Sequence, residues 1–533
     1  MDTRARRRLP IGLQTFRELR EEDCYYVDKT GFIARLLDEG KHYFLSRPRR
    51  FGKSLFLDTL KELFEANEPL FAGLHIHDRW DWSLRYPVVR LDFGGGHFGE
   101  PGYVHTNAMA QLASAGQDNG VAVEHDTAPE RLRDLLRALH AKTGRRVVVL
   151  VDEYDKPLLD ALDTPDLARA NRDYLRGLYS TIKSSDAHVR FTLLTGVSRS
   201  PQRGCARGNP SQETASKVSV FSGLNNLTDI TLDPRYSAIC GYTETDLDTV
   251  FAPELAGLDR DRIRDWYNGY NWRGAEKMYN PFDILLLFDK REFGCYWFES
   301  GTPTFLVETL FRRRISSLSL DGMLTSNELL SSFDVGAIAT EALLFQTGYL
   351  TIRDVRDRGG VLRFRLGYPN REVRQSLNES LLRRLVQDGT RQTANSDRLY
   401  DLLEANDFDG LKVLFQAFFA GIPYEWYTNN AISDYEGYYA SVFYSYFAGT
   451  GFDITVEESS NRGRADMAVR FGGNVYLFEF KVVEQATEGA ALAQLKERGY
   501  ADKYRASGDP IHLIGVEFSK ETRNVTAFEV ERV

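Results

Sequence analysis

The stretch "SRPRRFGKS" at residues 46–54 constrains the fold more than any other part of the chain. Gly52, Lys53 and Ser54 fit the end of the phosphate-loop pattern G-x-x-x-x-G-K-S/T, and Arg47 stands where the first glycine belongs. Such a loop works only between a strand and a helix, because the N–H groups at a helix start face the phosphate oxygens. Both flanks are present. "KHYFL" (41–45) is a short apolar strand candidate, and Leu55, Leu57, Leu60, Leu63 and Phe64 recur at helical spacing after the loop. Further buried-strand candidates lie at 86–94, 145–153 and 189–197, with helical patterns near 128–142 and 162–184. That alternation predicts an α/β domain with a mainly parallel sheet and ligands at the carboxyl ends of its strands.

The residue types specify a chemistry. Lys53 brings an ammonium to the outer phosphates of ATP, and the Ser54 hydroxyl serves Mg²⁺. "VVVLVDE" ends a strand on Asp152, which would hold Mg²⁺ through water, and Glu153, which would polarise an attacking water. Thr195, ending "FTLLT", reads either as a γ-phosphate sensor or as a strand-capping hydroxyl. Arg199 reads as a charge sensor or, the better reading, a solvated loop arginine. An arginine in place of the first glycine removes conformational freedom, and Arg47, Arg49 and Arg50 are expected to compensate with positive charge near the phosphates. With Phe51, Gly52, Lys53 and Ser54 they make up the expected cofactor-binding loop.

A chain of 533 residues, 42% hydrophobic, holds enough apolar material for roughly three or four cores. The net charge of −9 argues against indiscriminate coating of nucleic acid and leaves room for a local basic channel. No apolar run approaches the roughly 20 residues of a membrane helix, and the basic start lacks the apolar stretch of a signal peptide, so a cytoplasmic protein that stays off the membrane is expected. Cys24, Cys205, Cys240 and Cys295 have no C-x-x-C spacing. Residues 198–217 read as a surface insertion by their Ser, Gly, Pro and Arg content.

Between 225 and 385 the aromatic signatures "DWYNGYNW" and "CYWFESGTPTFL" read as core packing. "EALLFQTGYLTIRDVRDRGGVLRFRLGYPNREVRQSL" reads as helix, strand, Gly-Gly turn, strand, helix, the end of a winged helix. Arg312, Arg313 and Arg314 read as a solvated helix face.

From 434 onward the order is helix, strand, strand, helix. Alternation in "VYLFEFKVV" puts Glu479 and Lys481 on one side of a strand and Phe478 and Phe480 on the other. Two charges on a mostly apolar strand are costly unless they pair or bind something. Asp466 lies thirteen positions before Glu479 with a "FGGN" hairpin turn between, so the carboxylates can meet across antiparallel strands. Phosphodiester hydrolysis would use Asp466 and Glu479 to hold Mg²⁺ and Lys481 to activate water; a plain salt bridge is the other reading. Glu436 stands upstream on the first helix, and Glu457 and Glu458 read as exposed charges.

"LPIGLQTFRELREEDCYYVDKTGFIARLL", "SRPRRFGKSLFLDTLKELF", "VDEYDKPL", "FSGLNNL", "WYNGYNW", "YNPFDIL" and "YWFESGTPTFL" together resemble the AAA-ATPase-like proteins whose C-terminal region is a PD-(D/E)xK nuclease-like domain. The resemblance implies a P-loop domain of the ASCE/AAA-like kind over 1–230, a helical and winged-helix-like region over 231–390, and a restriction-endonuclease-like α/β domain over 391–533. It gives Lys53, Ser54, Asp152 and Glu153 the ATP-handling roles. It makes Asp466, Glu479 and Lys481 the nuclease triplet, with Glu436 and Gln494 as auxiliaries and Tyr500 as a further family position. Asp28 and Lys29 would help seat the nucleotide, a helix cap being the other reading of Asp28. ATP and Mg²⁺ are the implied cofactors and DNA or RNA the implied partner; AAA-like relatives often form rings, so a homo-oligomer is compatible. One departure is an insertion of about sixteen residues between "LTGVSR" and "SKVSVFSGLNN", where the family runs almost directly on; it bears on Arg199. The rival expectation is an ATP-dependent switch whose nuclease-like domain binds nucleic acid or protein without cutting.

Overall fold

The computed structural model describes residues 6–198, 220–221, 224, 226–299, 304–313, 315, 317–330, 338–386, 389–422, 436–459, 464–483 and 489–533. The chain forms two compact units, Met1–Trp297 with Met323–Asn370, and Phe298–Gly322 with Arg371–Val533. Arg199, Cys205 and nearly all of the expected 198–217 insertion lie outside the described residues, as does Arg314.

In the first unit β1 (His42–Ser46), β2 (Val88–Asp92), β3 (Val147–Asp152), β4 (Val189–Gly196) and β5 (Thr228–Asp229) form a sheet in the order β2-β3-β4-β1-β5. Every neighbouring pair is parallel. β3 is buried along its whole length, as a continuous Val/Leu run in a parallel sheet must be. β4 lies between β1 and β3, so its end at Thr195 and Gly196 separates the loop after β1 from the carboxylates after β3. The helix Ala128–Thr143 turns Leu132, Leu135, Leu136 and Leu139 inward, and Pro165–Ser184 turns Leu175, Leu178 and Ile182 inward.

The aromatic signatures of the middle region are core, as expected. Tyr25, Phe251, Trp266, Tyr267, Tyr279 and Phe288 pack in one buried cluster. A short hairpin, β6 (Asn268–Tyr270) and β7 (Met278–Tyr279), runs through it. After it come β8 (Leu324–Ser326), a buried helix Thr340–Thr347, β9 (Thr351–Arg358) and β10 (Val361–Gly367), in the sheet order β8-β10-β9. A first strand pairing with the last, helices between them and a hairpin at the end is the connectivity of a winged helix.

The second unit holds β11 (Asp453–Ser459), β12 (Arg464–Phe471), β13 (Asn474–Val483), β14 (Ile511–Ser519) and β15 (Val525–Arg532), in sequential order. Only β13 and β14 pair in parallel, with the helix Ala490–Arg498 between them in sequence. A side chain at Gly515 would meet the backbone N of Leu492 at 2.4 Å, so the missing Cβ lets that helix lie against the sheet. Of the cysteines, Cys24 and Cys240 are buried free thiols and Cys295 is half-buried. Among the described residues no helix is long and apolar enough to cross a membrane.

Candidate active sites

β1 ends at Ser46 and the helix Lys53–Phe64 begins seven residues later. Two left-handed residues bend the chain between them, Arg50 at φ +67° and Gly52 at φ +93°. Nothing lies within 4 Å of where a Gly52 side chain would be, so the chain at the helix start borders open space. Lys53 is buried; its Nζ donates to the carbonyls of Arg47 at 3.0 Å and Pro48 at 3.2 Å, and stands 3.7 Å from Glu153 Oε1. Ser54 follows on the first turn.

Arg47 corrects an expectation. Its guanidinium is turned inward and fully buried, donating from Nη1 to the carbonyls of Ser46 (2.8 Å) and Thr231 (3.0 Å) and from Nη2 to those of Tyr236 (3.0 Å) and Ser237 (3.4 Å). It also stacks on Trp272, 4.2 Å from the ring centroid. Burial pulls its pKa down to about 10. Arg47 therefore anchors the loop from behind and adds no charge to the phosphate face. Phe51 also points inward, edge-on to Tyr270 at 4.8 Å and Trp272 at 5.2 Å. Arg49 and Arg50 are exposed; the Arg50 guanidinium lies 4.7 Å above the Phe282 ring.

Asp152, at the end of β3, is 1% exposed. Its Oδ1 accepts the Thr195 hydroxyl at 2.7 Å and the Glu153 N–H at 3.1 Å. Thr195 thus sits beside the carboxylate and orients it. Glu153 adopts φ +51°, a left-handed geometry uncommon for a residue with a side chain, and this kink carries its carboxylate out of the strand toward Lys53.

Three residues here escaped sequence reasoning. Asp92 pairs in register with Asp152, and Arg90 Nη2 lies 3.7 Å from an oxygen of each. Its Nη1 is 2.9 Å from Asp58 Oδ1 on the loop helix. The strand ending "RLD" was a signal for Asp92. Asp155, fully buried, accepts the N–H of Ser198 at 2.5 Å and of Val197 at 3.2 Å, fixing the chain where it leaves β4. Burial, then the charge of Glu153, pushes its pKa up to about 6.

Asp28 and Lys29 both have partners within the fold. Asp28 accepts the N–H of Thr30 (2.8 Å) and of His75 (2.7 Å), bracketing the start of the helix Thr30–Glu39. Lys29 pairs with Asp246 at 2.9 Å.

In the second unit, Phe478 and Phe480 pack against Phe443 of the helix Glu436–Gly449. Glu479 and Lys481 face the other way, under the helix Ala490–Arg498. Glu479 is 3% exposed and its Oε1 accepts the Gln494 side-chain amide; Lys481 is half-buried. Met467 pairs with Phe478, so Asp466 stands one residue further along, across from Glu479. The Asp466 carboxylate accepts the N–H of Phe480 at 2.8 Å, which ties the two strands together at the site. Tyr500 is buried and its hydroxyl accepts from Arg498 Nη1 at 2.9 Å. Arg498, one turn beyond Gln494, is the donor of that bond, which raises its pKa. Glu436 is the first residue of its helix; its side chain, like those of Glu457 and Glu458 on β11, lies outside the described set.

Among the described residues no group of three or more His, Cys, Asp and Glu gathers as a metal cage. Mg²⁺ does not need one, since it is usually bound by one or two carboxylates with water and substrate phosphate.

Residues 10–205 match the family described as "Predicted AAA-ATPase", and residues 434–528 match the PD-(D/E)XK nuclease superfamily. A protein of Azotobacter chroococcum mcd 1, described as "Uncharacterized protein in vnfD 5'region", is 59% identical over 528 residues, covering 99% of either chain. No solved structure matches.

Proposed function

Because this chain belongs to the AAA-ATPase-like family with a C-terminal PD-(D/E)XK nuclease-superfamily domain, we propose that it hydrolyses ATP and thereby controls Mg²⁺-dependent cleavage of nucleic acid. The observation that carries the ATPase reading is the 3.7 Å approach of Lys53 Nζ to Glu153 Oε1. It supports reading Lys53 as the cation for the outer phosphates and Glu153 as the carboxylate that orients water, at the start of a helix. The donor set fits the nucleotide and its ion: N–H groups around Gly52, the Ser54 hydroxyl, and Asp152 held by Thr195.

In the second unit Asp466 and Glu479 would hold Mg²⁺, which when bound supplies Lewis-acid stabilisation of the phosphate. Gln494 fixes the Glu479 carboxylate, and Lys481, on the same face, positions water and stabilises the developing negative charge. Two carboxylates and a lysine under a helix support cutting over a bare salt bridge.

The test is a cleavage assay on DNA and RNA with Mg²⁺, with and without ATP, on wild type, Lys53→Ala and Lys481→Ala. Cleavage by wild type, lost in Lys481→Ala and no longer ATP-responsive in Lys53→Ala, is expected. Equal cutting by wild type and Lys481→Ala would sink the nuclease reading, and nucleotide-dependent binding without cleavage would install a non-cutting switch in its place.

A further inference from the structure

The β8-β10-β9 sheet collects arginines on one face. In its register Arg356 stands opposite Arg363, Asp354 opposite Arg365, and Arg358 opposite Val361. Paired residues share a face and alternate residues return to it, so Arg356, Arg358, Arg363 and Arg365 all project from one side. All four are exposed. Phe364 and Leu366, on the other side, are buried, which turns the arginine face to solvent. The hairpin is held firmly: Gly359 and Gly360 both take positive φ, +65° and +81°, and Asp357 accepts the Gly360 N–H at 2.8 Å.

Like charges directly opposite on antiparallel strands destabilise the pair. Among the described residues only Arg356 of the four is in an ion pair, 2.9 Å from Asp354. Residues 351–367 carry five arginines against two aspartates, in a chain with a net charge of −9. Concentrating guanidinium groups on one rigid face of an acidic protein makes sense for a polyanionic ligand. Leu324 and Val361, 67% and 49% exposed, share that face and offer apolar surface between the charges. The helix Thr340–Thr347, which would be the groove-reading element of a winged helix, has Ala342 through Gln346 buried. Of the two elements, the hairpin is the one presented.

We propose that this arginine face grips the phosphate backbone of nucleic acid without reading its sequence, as a binding surface separate from Asp466, Glu479 and Lys481. Guanidinium forks match phosphate oxygens in pairs. The choice of nucleic acid over another polyanion rests on the proposed nuclease activity, and the test separates the two. Binding of labelled duplex DNA, single-stranded DNA and RNA is measured by fluorescence anisotropy in EDTA, for full-length protein with Lys481→Ala and for the same protein carrying Arg356→Ala, Arg363→Ala and Arg365→Ala. The three changes should weaken binding roughly ten- to a hundredfold and make the slope of log K against log salt shallower by about 2 to 3, at ~0.9 for each phosphate left without its arginine. Melting temperature should hold, since all three side chains are exposed. Unchanged affinity and salt slope would overturn the proposal. Binding of phosphatidylserine vesicles in place of any nucleic acid would overturn it as well. Failure of Lys481→Ala to affect cleavage would remove the nuclease reading and leave the anisotropy result to stand alone.

Discussion

The loop at 46–54 and the triplet Asp466, Glu479 and Lys481 are supported from behind in opposite ways. Behind the loop is a buried cation: Arg47 reaches four main-chain carbonyls and the Trp272 ring. Behind the triplet is a wall of hydrocarbon, with Phe478 and Phe480 packed against Phe443, Phe447 and Phe518. A polar anchor is directional and leaves unsatisfied acceptors when it is removed. An apolar wall is tolerant, because another side chain of similar volume restores most of the packing. The loop should therefore be brittle at one residue, and the triplet's support forgiving.

The sharpest division between the two is chemical. Lys53→Ala should lower ATP hydrolysis by about a hundred- to a thousandfold, read as phosphate release, while Lys481→Ala leaves that rate alone. Next comes the anchor itself. Arg47→Gly restores the standard loop consensus, yet it empties a buried site and orphans several carbonyls, so it should destabilise the protein by about 3–5 kcal/mol and weaken nucleotide binding. Denaturant titration and a nucleotide-binding isotherm read both effects; a gain in affinity would break the comparison.

Asp155 gives an intermediate effect with a defined sign. Its folded pKa of about 6 stands above the ordinary carboxyl value of 3.8. Its stabilising contribution is therefore complete below pH 3.8 and is lost as pH rises through 6. The difference corresponds to at most about 3 kcal/mol. Melting curves between about pH 4 and 7 should show wild type losing stability that Asp155→Asn keeps; parallel curves would exclude the assignment. The smallest effect is expected at the hydrocarbon wall, where Phe480→Leu should cost about 1 kcal/mol and leave cleavage nearly intact. A loss there as large as that of Arg47→Gly would erase the contrast.

What was legible in the sequence was whatever depends on local period. The strand ending at Asp152, the helix after Lys53, the split of Glu479 and Lys481 from Phe478 and Phe480, and the Gly-Gly turn at 359–360 all follow from spacing along a few residues. What stayed hidden was direction toward partners far along the chain. Arg47 looks like charge for a phosphate because the carbonyls of Thr231 and Tyr236 that claim it are some 185 residues away, an association no local pattern encodes. Phe51 misleads for the same reason, its partners being Tyr270 and Trp272. Asp155 escapes notice because its acceptor role depends on where β4 ends.

The division of the chain into two interleaved units has a consequence for its inheritance. The polypeptide passes between them three times, at 297–298, 322–323 and 370–371. A single exchange between genes cannot deliver either unit whole: a fragment stopping at Trp297 forfeits β8, β9 and β10, and one starting at Arg371 forfeits the helix Thr304–Arg312. The two units can be inherited whole only together, because each is completed by a segment that lies within the span of the other.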